Sequence, residues 1–204
     1  MFIILSVKMT MQRADQIIKP VDRLKVGERY MVRELMRRAV VYSDNSASQI
    51  LFDYYPPEFI DRIFQALGIQ TVRSAGETEN LITARAYANI FRILYNASYL
   101  TPQFSNEALS VLTQVTYKDG LTAKLPAGVL VAHKFAERTT TFGLGNAKTT
   151  VQQFHECALV YANKGDDSYT LCVMTEGSDY KALEKILQDI SLEVYNSLIV
   201  DGGN

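Results

Sequence analysis

The chain has 204 residues, of which 48% are hydrophobic and 10% aromatic, and its 21 Lys and Arg residues nearly balance 22 Asp and Glu residues. These values are typical of a folded globular protein and argue against a disordered chain. Proteins that bind nucleic acid usually carry a basic surplus, so a formal net charge of -1 argues against that class of partner. The two cysteines and two histidines are too few for a disulfide framework, a four-ligand zinc site or a His-rich metal centre. We therefore expect no metal and no cofactor.

The chain opens on an uncharged apolar run of about five residues, whereas a membrane span needs roughly 20 and a signal-peptide core about 7–15. Positive charges, Lys8 and Arg13, follow this run instead of preceding it as they do in a signal peptide. We interpret the run as a buried helix or strand and expect no membrane span. A polar stretch over 15–27, broken by Pro20 and Gly27, predicts a connector.

Helical spacing of apolar residues dominates the first part of the chain. It predicts helices over 31–41 and 47–54, which the tripeptide Ser43-Asp44-Asn45 separates. Three further helices are predicted, one opened by Pro56 and Pro57 and closed by Gly68, and two that begin at N-caps formed by Thr83 and Ser105.

After Gly120 the pattern changes to that of strands. Strands are predicted over 129–135, 139–144, 154–162 and 168–175, the last two joined by a hairpin turn, and an amphipathic helix over 180–200. The predicted fold class is therefore α+β, in one domain over 1–204. A helical lobe occupies about 1–120, and an antiparallel sheet covered by the C-terminal helix occupies about 121–200.

Two segments contain residues that could carry chemistry. Ser43-Asp44-Asn45 lies between two predicted helices, where Asp or Ser is also favoured simply as an N-cap. A Ser-Asp-Asn tripeptide would arise by chance in roughly 3% of chains of this length. The second segment, Val-Ala-His-Lys-Phe-Ala, is a predicted strand that carries Lys134, and a lysine on an edge strand also serves to prevent aggregation.

Together, Ser-Asp-Asn and the strand lysine resemble the penicillin-recognising serine enzymes of bacteria, the class A β-lactamases and penicillin-binding proteins. That family carries Ser-x-x-Lys, then Ser-Asp-Asn, then Lys-Thr-Gly or Lys-Ser-Gly. The resemblance runs from about Val26 to the C-terminus. It includes Val32-Arg33-Glu34-Leu35, Leu81-Ile82-Thr83-Ala84-Arg85, Leu125-Pro126-Ala127-Gly128 and Thr175-Glu176-Gly177-Ser178.

The resemblance implies a role for each matching residue. Ser43 would pass a proton to the leaving nitrogen of an amide, and Asn45 would orient the substrate amide and the neighbouring lysine. Lys134 would supply a fixed positive charge that holds a substrate carboxylate. Asp44 would be structural and hold the turn.

The family's nucleophile is not found upstream of Ser43. Among all serines only Ser178 has a lysine three positions later, and we interpret Ser178 as the N-cap of the final helix. In the family the nucleophile opens a buried helix, and residues 1–12 resemble the remainder of that helix. We therefore expect a chain that begins just after the catalytic serine and lysine, lacks the family's N-terminal strands and forms no acyl-enzyme.

Two further departures concern substrate binding and deacylation. Lys134 is followed by Phe135-Ala136, so a hydroxyl that would bind a carboxylate is replaced, and Ala136 places a methyl group where substrate would lie against the strand. Thr139, Thr140 or Arg138 would have to compensate. No Glu-x-x-x-Asn deacylating loop is visible, because Glu77 and Glu79 stand at the wrong offset from Asn80.

Three hypotheses follow, the most remote of which is an unrelated α+β protein with a chance Ser-Asp-Asn. By resemblance the chain is extracytoplasmic, and it is either a β-lactamase-like serine hydrolase that is inactive in this form or a non-catalytic binding or scaffold protein that has kept the fold. In either case its ligand would be a small molecule or a peptidoglycan-like peptide. An uncovered sheet edge would favour a homo-oligomer. We expect His155 at the sheet surface, and Cys157 and Cys172 as buried thiols, with a disulfide open if the strand register allows it.

Overall fold

The computed structural model describes residues 4–6, 23–69, 72–73, 80–142, 148–163 and 167–200. The chain divides into two compact units, with the described residues up to Val111 in the first and those from Leu112 in the second. No helix in the described part of the chain is long and apolar enough to cross a membrane.

The first unit is helical with two short antiparallel strand pairs. Strand β1 (Ile4–Ser6) pairs with β2 (Arg29–Met31), and β3 (Val72–Arg73) pairs with β4 (Asn80–Leu81). The helices are α1 (Val32–Val41), α2 (Asn45–Tyr54), α3 (Pro57–Ala66), α4 (Ala84–Tyr95) and α5 (Pro102–Leu112), the last of which extends by one residue into the second unit.

The start and end signals explain most of these helix boundaries. Pro57 opens α3, and Gly68, at φ +65°, follows its end in the left-handed conformation that glycine adopts without strain. Thr83 caps α4 by accepting a hydrogen bond from the Ala86 N–H, as predicted. The prediction for Ser105 is wrong: it lies inside α5 and is 1% exposed, while the hydroxyl of Thr101 accepts the N–H of Phe104.

Helices α1 and α2 share the buried core of the first unit. Leu24, Leu35 and Ala47 are its most buried members, and Tyr30, Ala39, Ile50 and Leu51 pack against them. Because this core fixes α1 against α2, it also fixes the short turn that joins them.

The second unit is a three-stranded antiparallel sheet in the order β5-β6-β7, with β5 (Leu130–Phe142), β6 (Thr149–Ala162) and β7 (Asp167–Gly177). The first two predicted strands form the single strand β5, and residues 143–144 of that prediction lie outside the described residues, as do residues 164–166 of the predicted hairpin turn. Helix α6 (Tyr180–Tyr195) follows and continues into one π-helical turn, Asn196–Val200.

One face of this sheet carries an aromatic core. Phe135 lies 4.6 Å from Tyr117 between ring centroids, and Phe154 lies 5.0 Å from Tyr180 at the start of α6. Leu183 and Leu187 of α6 are buried, so the helix covers the sheet as its apolar stripe predicted. The α+β class, with an antiparallel sheet and a covering C-terminal helix, is confirmed.

Two expectations need correction. Ile4–Ser6 is a strand, so the helix expected over 1–12 is wrong there, and the rest of that stretch lies outside the described residues. Cys157 and Cys172 face each other across β6 and β7 and form a disulfide instead of two thiols. The register decided this outcome, because directly opposed residues bring their side chains close enough to bond.

Candidate active site

The Ser-Asp-Asn motif forms the turn between α1 and α2. Tyr42 ends α1, Ser43 has a φ of +52°, and Asn45 is the first residue of α2. A positive φ is uncommon for a residue with a Cβ and marks local backbone strain. Ser43 and Asn45 are both half-buried and flank the buried Asp44.

The side chain of Asp44 holds this turn in place. It is 2% exposed, and its Oδ1 accepts the N–H of Ser46 at 2.9 Å and that of Ala47 at 3.2 Å. The Asp44 N–H in turn donates to the carbonyl of Arg38. Asp44 therefore accepts hydrogen bonds from two backbone amides in the first turn of α2, which have no partner within the helix. These bonds also fix the positions of Ser43 and Asn45 on either side of it.

Lys134 lies on β5, directly opposite Cys157. Its side chain is half-buried, and its ammonium nitrogen lies 4.3 Å from the centroid of the Phe135 ring. Burial lowers the pKa of Lys134 to about 8, although the carboxylates of Glu156 and Glu137 oppose this shift. Lys134 is thus a cation that a ligand carboxylate would stabilise further.

Two residues predicted to bind substrate are not presented beside Lys134. Phe135 is 3% exposed and its ring packs in the aromatic core, so only its backbone remains for a ligand. The pairing of β5 with β6 has no bulge, so Thr139 projects to the opposite face from Lys134, roughly 17 Å further along the strand. Arg138 and Thr140 share the face of Lys134 by the same alternation.

Ser43, Asp44 and Asn45 belong to the first unit, and Lys134 belongs to the second. Ser178, the only serine with a lysine three positions later, lies just before α6 and is exposed. The prediction that Ser178 caps α6 is wrong, because Asp179 accepts the N–H groups of Lys181 and Ala182.

The second unit contains a buried ionisable pair that was not predicted from the sequence. His133 and Glu156 are both fully buried, and His133 Nδ1 lies 2.6 Å from Glu156 Oε1. The signal was available, since Glu156 alternates with Phe154 and Ala158 on the inward face of its strand, where an unpaired carboxylate is costly. Its neighbour His155 is half-buried and accepts the Thr175 N–H, so it is less exposed than predicted.

Comparison with known proteins places this architecture in a family. The model of the Beta-lactamase enzyme family matches residues 5–198. Comparison with curated proteins gave no match. The fold and the family match together define a protein of the β-lactamase class. The chain belongs to the Beta-lactamase enzyme family.

Solved structures share the fold at low sequence identity. A class A β-lactamase from Bacteroides cellulosilyticus superposes with a TM-score of 0.75 at 19% identity, covering 97% of this chain and 74% of its own. TLA-3 extended-spectrum β-lactamase gives 0.73 at 19% identity, with 95% and 76% covered. PBP-A gives 0.66 at 19% identity, with 85% of this chain covered, and this chain spans 63% of the length of PBP-A.

Proposed function

We propose that this chain is a β-lactamase-like serine hydrolase in its site chemistry, directed at β-lactam or peptidoglycan-type amides. We further propose that it forms no acyl-enzyme in this form. Ser43 would serve the leaving nitrogen, Asn45 would bind the amide, and Lys134 would bind a carboxylate.

The observation that carries this proposal is the turn at Ser43. A strained serine and an asparagine at a helix start, with a buried capping aspartate between them, is a costly arrangement for a mere connection between helices. Family membership supports the reaction class. A mutant of the relative PBP-A is known as an acyl-enzyme complex with penicillin G, which supports the class of ligand.

The absence of acylation is proposed because no Ser-x-x-Lys precedes Ser43 in the 204 residues. The experiment is incubation with a fluorescent penicillin, followed by intact-mass analysis and treatment with neutral hydroxylamine. We expect no hydroxylamine-sensitive adduct, because an ester on serine requires an activated hydroxyl. A hydroxylamine-sensitive adduct would overturn this part of the proposal.

Binding is tested separately by equilibrium dialysis with labelled penicillin. We expect S43A and K134M each to weaken binding about tenfold, the effect of one lost hydrogen bond to a charged group. K185M removes an exposed lysine of α6 and serves as the matched control. Equal binding by all variants would contradict the assignment of the site.

The second candidate is a non-catalytic binding or scaffold protein, favoured by the buried Phe135 and by Ala136 after the lysine. The two candidate functions predict different coding sequences upstream of Met1. An in-frame Ser-x-x-Lys within about 20 codons upstream of Met1 would favour the hydrolase, and its absence would favour the scaffold.

We also propose an extracytoplasmic location and self-association. The Cys157–Cys172 disulfide supports an oxidising compartment. Among the described strands β5 pairs with β6, and both its end residues, Leu130 and Phe142, are exposed. Exposed apolar side chains at both ends of a 13-residue strand are a surface against which a second copy could pack.

A further inference from the structure

A pocket of about 540 Å³ opens on the second unit beside the start of β5. Lys118, Asp119, Thr113 and Thr122 supply its polar groups. The remaining wall is largely apolar and comprises Ala123, Leu125, Pro126, Ala127, Val129, Leu130 and Val131. The pocket therefore provides an apolar binding surface for a small molecule next to the accessible amine of Lys118.

The amine of Lys118 is connected to the buried histidine–glutamate pair. Its Nζ lies 3.3 Å from His133 Nε2, and His133 Nδ1 lies 2.6 Å from Glu156 Oε1. The other carboxylate oxygen, Oε2, accepts the Leu121 N–H at 2.8 Å. A chain of polar contacts therefore runs from the pocket wall to a buried carboxylate.

The hydrogen-bond pattern assigns the histidine tautomer. Both oxygens of the Glu156 carboxylate act as acceptors, Oε2 from the Leu121 N–H and Oε1 from His133, so His133 Nδ1 carries the proton of that hydrogen bond. The lone pair of His133 Nε2 then faces Lys118 Nζ. An acceptor imidazole next to a nucleophile, and oriented by a carboxylate, is the arrangement of a catalytic triad with an amine in the nucleophile's position.

We propose that Lys118 is a site of covalent acylation, which takes activated acyl donors such as reactive esters and thioesters with a small apolar body. The site is independent of the proposed hydrolase function, because it uses neither Ser43 nor Lys134.

The step balances with the groups present. The neutral amine of Lys118 attacks the carbonyl carbon, and a C–N bond forms. The excess proton on nitrogen passes to His133 Nε2, and Glu156 stabilises the resulting imidazolium. The bond to the leaving oxygen or sulfur breaks, and the leaving group departs with the electron pair and takes the proton from His133. The product is an amide on Lys118, so one acyl group is transferred per chain.

The electrostatics of Lys118 favour the nucleophilic form. Burial lowers the pKa of Lys118, and the Glu156 carboxylate partly opposes this shift. A larger fraction of its amine is therefore neutral near pH 7 than for an ordinary lysine.

The experiment treats the intact chain with substoichiometric N-hydroxysuccinimidyl acetate at pH 7, followed by peptide mapping. We expect acetylation of Lys118 at least tenfold faster than of Lys185, an exposed lysine on α6. Equal or slower labelling of Lys118 would overturn the proposal. So would labelling of Lys134 ahead of Lys118, because reactivity would then follow desolvation alone.

The variant E156Q distinguishes proton transfer from Lys118 to His133, which Glu156 orients, from a purely electrostatic effect of the Glu156 charge on Lys118. Removal of the carboxylate charge alone lowers the pKa of Lys118 further and would accelerate its acylation. The glutamine side chain has one acceptor oxygen, whereas the carboxylate of Glu156 accepts from two donors, the Leu121 N–H and His133 Nδ1. His133 therefore changes tautomer, and its Nε2 becomes a donor that no longer accepts a proton from Lys118. We then expect acylation of Lys118 to slow about tenfold, and acceleration would overturn the proposal.

E184Q is the matched control, because Glu184 is also a buried carboxylate but accepts from Tyr117 outside this network. Its Lys118 rate should equal that of the unmodified sequence. If E156Q fails to fold, the labelling ratio of Lys118 to Lys185 in the unmodified sequence still decides the proposal. An amide on Lys118 resists neutral hydroxylamine, so it is distinguishable from an ester on serine.

Discussion

At the level of single residues, Lys134 carries a positive charge at pH 7 although its partly buried position disfavours that charge. Its folded-state pKa, about 8, lies below the ordinary value of 10.5 because burial disfavours the ammonium ion. Between these two pH values the unfolded chain binds the proton that the folded chain has released. Stability therefore rises with pH across that window, and below about pH 8 the buried charge is a full penalty.

The substitution K134M tests this balance. At pH 7 we expect the free energy of unfolding to increase by about 1–3 kcal/mol, because a partly buried charge is replaced by an apolar side chain of similar length. The gain should shrink between about pH 8 and 10.5 and vanish above. Denaturant unfolding from pH 6 to 11 measures it, with K185M as the exposed control. A gain that does not depend on pH would contradict the assigned pKa.

Asp44 is a second single residue that contributes to stability, through its capping hydrogen bonds. D44A should lower the free energy of unfolding by about 0.5–2 kcal/mol, because the amides of Ser46 and Ala47 lose their acceptor inside the protein. D44S keeps a capping oxygen and removes Asp44 Oδ2, which has no partner among the described residues. Its loss should be smaller, and an equal loss for both variants in urea denaturation would argue against capping.

At the level of elements, the segment before β5 is joined to β6 by a close approach at Gly120. A Cβ at this position would lie 1.8 Å from Glu156 Oε2. G120A should therefore displace the carboxylate from the Leu121 N–H and cost about 2–4 kcal/mol. In G177A the nearest atom is Leu183 Cδ2, a flexible side-chain end at 3.2 Å, so its loss should stay below about 1 kcal/mol. Similar unfolding curves for the two variants would contradict this account.

The disulfide between β6 and β7 closes a loop with a sequence separation of 15. Loop-closure entropy for this length corresponds to about 3 kcal/mol. Dithiothreitol should therefore lower the free energy of unfolding by about 2–3 kcal/mol. The double variant C157A/C172A should show no response to the reductant. A chain that is equally stable with and without reductant would show that the bond adds nothing to stability.

The sequence predicts elements well where the signal is local, and less well where it depends on tertiary contacts. The caps at Asp44 and Thr83 follow from residue type and spacing. Ser105 looks like a cap but is buried inside α5, because Thr101 supplies the capping oxygen one turn earlier. The pattern predicts two strands that are interrupted between residues 135 and 139, yet β5 continues through Glu137 and Arg138 in an unbroken ladder with β6. Pairing partners such as His133 and Glu156 are set by register, which local pattern does not determine.

At the level of the whole molecule, the exposed apolar ends of β5 lead to a prediction about assembly. Light scattering with size-exclusion chromatography should detect a dimer or larger species at high concentration. L130K and F142K should shift the population toward monomer, because a charge in place of an exposed apolar side chain opposes association at that position. L198K alters an equally exposed residue of the final helical turn and should have no effect. A strictly monomeric chain at high concentration would contradict self-association.

The left-handed backbone at Ser43 has a consequence for how this sequence could change over time. In this conformation a residue with a Cβ lowers the stability of the fold by about 1–2 kcal/mol, and substitution by glycine would recover much of that stability. A lineage free of any need for a hydroxyl at this turn would gain stability by a single substitution. A library of this chain selected for thermal survival should therefore converge on glycine at position 43, whereas one selected for ligand capture should return serine.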